Sequence, residues 1–225
     1  MKIKLKRASV LDMKKAKKEK VNQKVEYNDQ VRIFLEEMRI FEIKSKKIIK
    51  MLVKVFDDLR LPLPGEQFRI RTQQQVNMIT LVLRILKEHG SIDELTIATY
   101  SFNKDAFNII EPLIKAGKIK KFNLFLASSN RFRNESHLNF LINQMKKLSE
   151  SGFDISFILV WSHLKITLAR CGNNFYQFEG SMNYSMNNMA EQIVFENNKD
   201  LYDFDYYFII ETMQDTNNKA LEIII

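Results

Sequence analysis

The sequence predicts an α/β protein with a mixed sheet flanked by helices, preceded by a basic helical N-terminal segment. The first observation is that strand-like and helix-like segments alternate after residue 60, and a glycine follows each helix, at Gly90, Gly117 and Gly152. Such alternation is typical of βαβ units, which form a parallel sheet with helices on its faces. The second observation is a pair of strand-like segments joined by "GNN", which predicts an antiparallel hairpin after the parallel strands.

The individual elements follow in order along the chain. Strands are predicted over "QFRIRT", "ELTIATYSF", "IKKFNLFLASS" and "FDISFILVWS", and helices over "QQQVNMITLVLRILKEHG", "KDAFNIIEPLIKAG" and "NESHLNFLINQMKKLSESG". The hairpin strands are "HLKITLARC" and "FYQFEGS". Beyond them, "NNMAEQIVFENN" is a short helix or a helix-to-strand transition, and "LYDFDYYFIIETMQ" is a last helix, with a strand as the alternative. The terminal "LEIII" is an edge strand or a frayed end.

Residues 1–60 are predicted to form an N-terminal segment, and residues 61–225 form the α/β domain. Residues 1–27 are rich in Lys and poor in large apolar side chains, so we expect a flexible arm. Apolar residues then recur in steps of three and four from Val31 to Leu59, which predicts a heptad helix that packs on its own domain or pairs with a second helix. The prolines and glycine of "RLPLPGEQ" end this helix.

The positive charge of the chain is concentrated in the N-terminal segment. The 225 residues carry a net charge of +8, and residues 1–60 contain 18 Lys and Arg against 9 Asp and Glu. A basic arm suits the phosphate backbone of nucleic acid or an anionic membrane surface. A solvated tail that aids solubility is the alternative.

The composition is that of a globular protein, with 45% hydrophobic and 28% charged residues. The longest apolar run covers residues 155–161, far short of the roughly 20 residues of a membrane helix, so we expect no integral membrane association. The N-terminus lacks the apolar stretch of a secretory signal, and the single Cys171 cannot form an internal disulfide. We therefore expect a cytoplasmic protein.

Polar side chains of the predicted hairpin converge at one end of the sheet. His163 and Lys165 lie two residues apart on the first arm and share a face, and Ser181 and Asn183 have the same spacing after the second arm. An ammonium and an amide can hold the oxygens of a phosphate while an imidazole attacks its phosphorus. A carboxylate at Glu191 can orient that imidazole. The set therefore suits a phosphoryl ligand.

The segments "HLK", "GSMN" and "AEQ", in this order, resemble the HxK(x)4D(x)6GSxN signature of the phospholipase D superfamily. The resemblance covers residues 67–207 and includes "ELTIATYSF", which is similar to the first strand of single-motif bacterial nucleases of this superfamily. Two departures stand out. Arg170 occupies the place of the family's aspartate, and His163 and Gly180 are 17 residues apart, three more than usual, with the hairpin turn as the place for the additional residues.

The resemblance implies a phospholipase D-like α-β-α sandwich and roles for five residues. His163 is the nucleophile that forms a phosphohistidine, Lys165 and Asn183 hold the phosphate oxygens, Ser181 lines the pocket, and Glu191 orients the imidazole. A complete site of this kind contains two histidines, one attacking and one protonating the leaving oxygen. The sequence contains one such motif, so the resemblance implies a homodimer. It also implies chemistry that needs no metal or cofactor.

A further group of candidates lies in "ASSNRFRNES", which follows the second strong strand. Arg131 and Arg133 can grip a backbone phosphate, and Phe132 can stack on a base, whereas the alternative is an ordinary polar loop. Tyr100 and Phe102 are interpreted as pocket walls or core residues, with base stacking as the less favoured alternative. His89 and His137 lack the accompanying lysine and are interpreted as structural.

These observations lead to three functional hypotheses. The first is a metal-independent, homodimeric phosphodiesterase, a hydrolase of the nuclease class, that cleaves nucleic acid, with DNA favoured over RNA. The second is a catalytically weak or inactive module that binds nucleic acid or protein. The third is a lipid phosphodiesterase. The basic arm and the absence of an apolar docking segment favour nucleic acid over lipid.

Overall fold

The computed structural model of the chain describes residues 47–52, 59–72, 78–185, 191–214, 222–223 and 225. These residues belong to a compact unit that runs from Ser45 to Ile225. The basic arm, residues 31–46 of the heptad pattern and its last turns before residue 59 lie outside the described residues. Their predicted structure and function stay predictions.

The described residues form nine strands and five helices. The strands are β1 (Lys47–Leu52), β2 (Glu66–Thr72), β3 (Glu94–Thr99), β4 (Lys121–Ala127), β5 (Asp154–Val160), β6 (Lys165–Cys171), β7 (Asn174–Gly180), β8 (Glu191–Asn197) and β9 (Glu222–Ile223). The helices are α1 (Ile79–His89), α2 (Lys104–Lys115), α3 (Asn130–Arg133), α4 (Glu135–Glu150) and α5 (Lys199–Gln214). None of the helices in the described ranges is long and apolar enough to cross a lipid bilayer.

All nine described strands form one mixed sheet in the order β1-β2-β8-β7-β6-β3-β4-β5-β9. Strands β3, β4 and β5 are parallel neighbours, as βαβ connections require. Strands β6, β7 and β8 form an antiparallel meander, and β6 joins it to β3. The predicted mixed sheet is therefore confirmed.

The sheet is covered by helices on both faces. On one face, α1, α2 and α4 pack on the larger core, in which Phe107, Phe122 and Phe178 are fully buried. On the other face, Tyr202 and Ile209 of α5 pack on a smaller cluster. This arrangement confirms the predicted α-β-α layering, and it leaves the strand ends as the places where polar side chains of several strands meet.

The start of the sheet corrects the sequence prediction. The predicted heptad helix from Val31 to Leu59 included "KIIKML", which the structure assigns to β1, a strand parallel to β2. The helix prediction is wrong there because so short an apolar run fits the period of a helix and that of a strand equally well. Backbone pairing with β2 favours the strand. The sheet therefore includes residues that the sequence assigned to the N-terminal segment.

The second half of the chain agrees closely with the predicted elements. The hairpin of β6 and β7 turns at Gly172, which has a φ of 57°, a value that glycine adopts without steric cost. The segment that begins at Glu191 is a strand, so the helical alternative is wrong for these residues. α5 is a helix, as predicted. Of the two predicted states of the C-terminus, the edge strand is observed, since β9 pairs with β5.

Candidate active site

The predicted site residues lie at the end of the sheet where β3, β4 and β5 have their carboxyl ends. Lys165 pairs with Thr99 at the end of β3, and Ile166 pairs with Glu179 near the end of β7. The start of β6, the end of β7 and the start of β8 therefore meet at this edge. Ligands of open α/β sheets commonly bind at the carboxyl ends of strands. We call this edge the site end.

His163 and Lys165 are in direct contact. Lys165 is the first residue of β6, His163 lies just before the strand, and Lys165 Nζ is 3.2 Å from His163 Nδ1. The exposed imidazole lies beside Tyr100, with 4.5 Å between the ring centroids. Lys165 Nζ is 5.8 Å from the centroid of the same tyrosine ring, within reach of a cation–π interaction. The imidazole and the ammonium therefore form one cluster around Tyr100.

Gly180 brings the end of β7 close to the start of β8. A Cβ atom at this position would overlap the carbonyl oxygen of Gln192, so the close approach of the two strands requires glycine. Ser181 N donates to Gln192 O at 3.1 Å, and Gln192 N donates to Ser181 Oγ at 3.0 Å. The glycine of the motif thus allows the two strands to approach closely, and the adjacent serine joins them by hydrogen bonds. The sequence alone did not reveal these roles.

Glu191 is buried, with 4% of its surface exposed, and it is the first residue of β8. Its carboxylate accepts a hydrogen bond from the hydroxyl of Ser181. The described contact of Glu191 is thus with Ser181 rather than with the imidazole of His163. Glu191 pairs with Thr72 of β2, so it lies within the sheet.

Asn183 is held in place by its neighbours. Tyr184 is fully buried, and its hydroxyl lies 2.6 Å from Thr167 Oγ1 in a hydrogen bond. Burial raises the pKa of Tyr184, so the hydroxyl stays protonated. Tyr184 N donates to Ser101 O at 3.1 Å, which fastens the segment to the residues after β3. Among the described residues, the side-chain oxygen of Asn183 is buried without a hydrogen-bond partner.

A cavity of about 310 Å³ adjoins His163 on the side of β4 and β5. Tyr100, Ser129, Trp161 and Arg133 are among its lining residues. The guanidinium carbon of Arg133 is 5.1 Å from the centroid of the Tyr100 ring. We call this space the aromatic cavity. It confirms the interpretation of Tyr100 as a pocket wall, while Phe102 is a core residue with 1% exposure.

The predicted nucleic-acid-binding trio does not lie in a loop. The residues form the short helix α3, because Asn130 Nδ2 donates to Ala127 O and Tyr100 O and closes the turn after β4. Arg133 reaches the aromatic cavity, whereas Arg131 is exposed and Phe132 is 90% exposed. The structure thus brings one member of the trio to the cluster around His163.

A second cavity, of about 380 Å³, adjoins His163 on the side of β2 and β8. Arg69 and Arg71 of β2 line it together with Lys165 and Gln192. We call this space the basic groove. Neither arginine belongs to the motif read from the sequence, although "FRIR" places both on one strand face, opposite the buried Phe68 and Ile70. Trp161, which lines the aromatic cavity, also lies outside that motif.

The cations at the site end form no ion pair within the described structure, although Glu179 also lines the basic groove. Arg69 donates to Gln67 and Arg71 donates to the carbonyl of Ile70, and in the described ranges neither arginine, nor Lys165, nor Arg133, forms an ion pair with a carboxylate. A cluster of this kind attracts anions, and phosphate in particular.

Arg170, which occupies the place of the family's aspartate, lies at the opposite end of β6. Five residues along a strand separate it from Lys165 by about 16 Å. Its guanidinium forms an ion pair with Glu94 at 3.6 Å. The departure from the family signature therefore lies outside the cluster around His163.

No protein-family model matches the sequence. No curated protein matches it either. The chain is similar in structure to Nuc, a phospholipase D family member from Salmonella typhimurium, with 16% identity and a TM-score of 0.44 over 64% of this chain and 90% of Nuc.

Two further solved structures are similar to the chain. A phosphatidylserine synthase from Haemophilus influenzae Rd KW20 is 13% identical, with a TM-score of 0.47, over 70% of this chain and 39% of the synthase. The archaeal chromatin protein TrmBL2 is 12% identical, with a TM-score of 0.44, over 92% of this chain and 69% of TrmBL2. A phospholipase D family member is thus among the solved structures that the chain resembles, and at these identities the likeness concerns the fold.

Proposed function

We propose that the chain is a phosphodiesterase of the nuclease class that cleaves nucleic acid, preferably DNA, with His163 as the nucleophile. The observation that carries this proposal is the contact between His163 and Lys165 at the junction of the basic groove and the aromatic cavity. An imidazole beside an ammonium, with Arg69 and Arg71 in the groove on one side, suits attack on a phosphodiester. We further propose that residues 1–27 form a basic arm that adds contacts to the phosphate backbone.

The contact between Lys165 and His163 defines the ligand-free state of the proposed nucleophile. An ammonium only donates hydrogen bonds, so Nδ1 of a neutral His163 accepts and Nε2 carries the proton. A phosphate attracts Lys165 more strongly than a neutral imidazole does. Substrate binding therefore draws Lys165 to a phosphate oxygen, the proton moves to Nδ1 through solvent, and Nε2 becomes nucleophilic.

The proposed reaction has two steps. In the first, Nε2 of His163 forms a bond to phosphorus, and the bond from phosphorus to the leaving oxygen breaks. In the second, water attacks the phosphohistidine, gives up a proton to the histidine that protonated the leaving oxygen, and the phosphorus–nitrogen bond breaks, which restores His163. The side chains of Lys165 and Asn183 would hold the non-bridging oxygens, and the pair of Ser181 and Glu191 would support the segment that carries Asn183.

The leaving oxygen needs a proton, and we propose that it comes from His163 of the partner subunit in a homodimer. The support for this part is the single motif in the sequence, since an acid and a nucleophile are both needed at the scissile phosphate. Sedimentation at micromolar concentration checks it. A monomer that still cleaves nucleic acid would rule out the two-subunit site.

The central test is cleavage of single-stranded and double-stranded DNA by the wild type and by His163→Ala, each with and without EDTA. We expect cleavage by the wild type, its loss in the variant, and no effect of EDTA. His89→Asn serves as the matched control, because His89 contacts Tyr176 away from the site end and its variant should cleave normally. Cleavage by His163→Ala at the wild-type rate would refute the assignment of the nucleophile.

A second candidate function is a nucleic-acid-binding module without catalysis. The observations in its favour are the single motif in the sequence and Arg170 in the place of the family's aspartate, where it forms an ion pair with Glu94. The same experiment decides between the two functions. Binding of DNA by the wild type without any cleavage would support the binding module.

A further inference from the structure

We propose that the aromatic cavity beside His163 is a nucleobase subsite, so that the chain takes single-stranded nucleic acid with one base inserted next to the scissile phosphate. This inference rests on the proposed function, because it places the base relative to the phosphate that His163 attacks. It adds the strandedness of the substrate and the residues that select it.

The wall of the cavity has the chemistry that base stacking requires. Tyr100 presents an aromatic ring, and the guanidinium of Arg133 lies over that ring. Planar guanidinium groups and aromatic rings are the side chains on which proteins stack unpaired bases, and such stacking tolerates any base. A base that enters the cavity meets these surfaces before its phosphate reaches His163.

Trp161 provides a second aromatic surface at the same cavity. Its indole is 71% exposed, although it lies between the buried end of β5 and the start of β6. Leaving so large an apolar surface in water is unfavourable, and covering it with a base contributes free energy of binding. The exposure of Trp161 therefore points to a ligand with an aromatic face.

The cavity also offers polar atoms to the edge of a base. Ser129 lines the cavity, and in the described part of the chain its hydroxyl oxygen is buried without a hydrogen-bond partner. A buried hydroxyl without a partner is unfavourable, and rotation of the Ser129 side chain toward the cavity would let a donor or acceptor on a base edge satisfy it. Stacking and edge contacts are the two components of recognition of an extruded base.

The size and position of the cavity exclude an intact duplex from this mode of binding. A volume of about 310 Å³ lies at the lower limit for small-ligand pockets and suits one nucleotide. The basic groove lies on the opposite side of His163 and suits the phosphate that follows. One strand can thus place a base in the cavity, the scissile phosphate at His163, and the next phosphate beside Arg69 and Arg71.

Trp161 is the sole tryptophan of the sequence, so its fluorescence reports on the cavity directly. The experiment titrates the His163→Ala variant, in which cleavage is prevented, with a thymidine dodecamer and with an abasic strand of the same length. We expect the dodecamer to quench the emission and the abasic strand to bind through its phosphates without quenching. Equal quenching by both strands, or stronger quenching by a duplex of the same sequence, would overturn the subsite.

Binding of fluorescently labelled dodecamer, followed by anisotropy, tests the residues themselves. Trp161→Leu should weaken binding by about five- to 100-fold, the range for loss of one stacked base. Leu63→Ala is the matched control, because Leu63 is 62% exposed at the opposite end of the sheet, and its variant should bind like the parent. Unchanged affinity of Trp161→Leu would also overturn the subsite.

The outcomes separate this inference from the proposed function. Base-dependent quenching together with absence of cleavage by the wild type would support the subsite and refute the phosphodiesterase. Cleavage by the wild type without base-dependent quenching would support the phosphodiesterase and refute the subsite.

Discussion

The two ends of β6 carry basic side chains in different electrostatic surroundings. Arg170, at one end, forms an ion pair with Glu94, which also accepts a hydrogen bond from Lys121 at 2.9 Å. Lys165, at the other end, contacts a histidine and an aromatic ring. We call the first the paired end and compare it with the site end.

The carboxylates at the paired end are held in their charged form. Burial alone would raise the pKa of Glu94, but the hydrogen bond and charge of Lys121 together lower it below its ordinary value. The hydrogen bond from Lys120 likewise lowers the pKa of Asp93. Lys120, Lys121 and Arg170 each form an ion pair with Asp93 or Glu94. The comparison teaches that basic side chains at the paired end are held by carboxylates of the fold, whereas Lys165 at the site end contacts a histidine and is available to the proposed phosphate.

The largest expected effect comes from comparing one substitution at each end of β6. Lys165→Met should lower the rate of DNA cleavage by about 10²–10³-fold, the range for loss of one group that stabilises transition-state charge, and leave the melting temperature nearly unchanged. Arg170→Met should leave cleavage within a few-fold and lower the melting temperature. Single-turnover kinetics and thermal unfolding measure both. The reverse pattern would break the distinction between the two ends.

The second effect concerns stability at the paired end. Glu94→Gln should lower the free energy of unfolding by about 1–3 kcal/mol, because Lys121 and Arg170 lose their shared carboxylate while the position stays buried. Urea unfolding measures the change. Glu135→Gln, at an exposed position, is the control, and an equal loss in both variants would contradict the prediction.

The third effect is a difference in the pH dependence of stability between the carboxylates of the paired end and those on the sheet face under α5. There, burial raises the pKa of Glu196 to about 7 and that of Asp205 to about 6. In the folded state these carboxyls keep their protons at a pH where the unfolded chain has lost them. Their contribution to stability is therefore present below about pH 4.5 and is lost as the pH rises to about 7.

Glu196→Gln should reduce the loss of unfolding free energy between about pH 4.5 and pH 7 by up to about 3 kcal/mol. The carboxylates of the paired end act in the opposite sense, because their pKa values are lowered and their contribution is lost as the pH falls below their unfolded values. Urea unfolding between pH 3 and pH 8 measures both trends. A profile of Glu196→Gln that parallels the wild type between pH 5 and pH 7 would contradict the assignment.

The smallest expected effect concerns the basic groove. Arg71→Gln should weaken DNA binding a few-fold at moderate salt and reduce the slope of log affinity against log salt by about 1. Lys118→Gln removes one exposed charge in the turn before β4, away from the site end, and should leave the slope unchanged. Binding isotherms at several salt concentrations distinguish the two variants, and equal slopes would argue against a phosphate contact at Arg71.

Much of the sheet can be predicted from local patterns. β3, β4 and β5 are short apolar runs between glycine-terminated helices, and "GNN" predicts the hairpin of β6 and β7, because each signal lies within a few residues along the chain. The proximity of His163, Lys165 and Gly180 follows from the same hairpin. Spacing within one supersecondary unit is therefore readable from sequence.

What the sequence did not reveal depends on contacts between distant segments. β1 is a strand through pairing with β2, and Glu191 meets Ser181 because β8 lies between β2 and β7, an order that no local pattern contains. The aromatic cavity joins Tyr100, Arg133 and Trp161 from the ends of three strands. Their meeting is a consequence of the parallel arrangement, and each residue alone is an ordinary loop or surface residue.

The buried Tyr184 connects the segment that follows β3, which carries Tyr100, to the segment that follows β7, which carries Asn183. Its backbone exchanges hydrogen bonds with Ser101 and Asn103, next to Tyr100, and the preceding residue is Asn183. Under the proposed subsite, a base that restrains Tyr100 would also restrain, through these hydrogen bonds, the segment that would hold the phosphate. Base and phosphate should then bind with positive cooperativity, of equal size whichever is bound first.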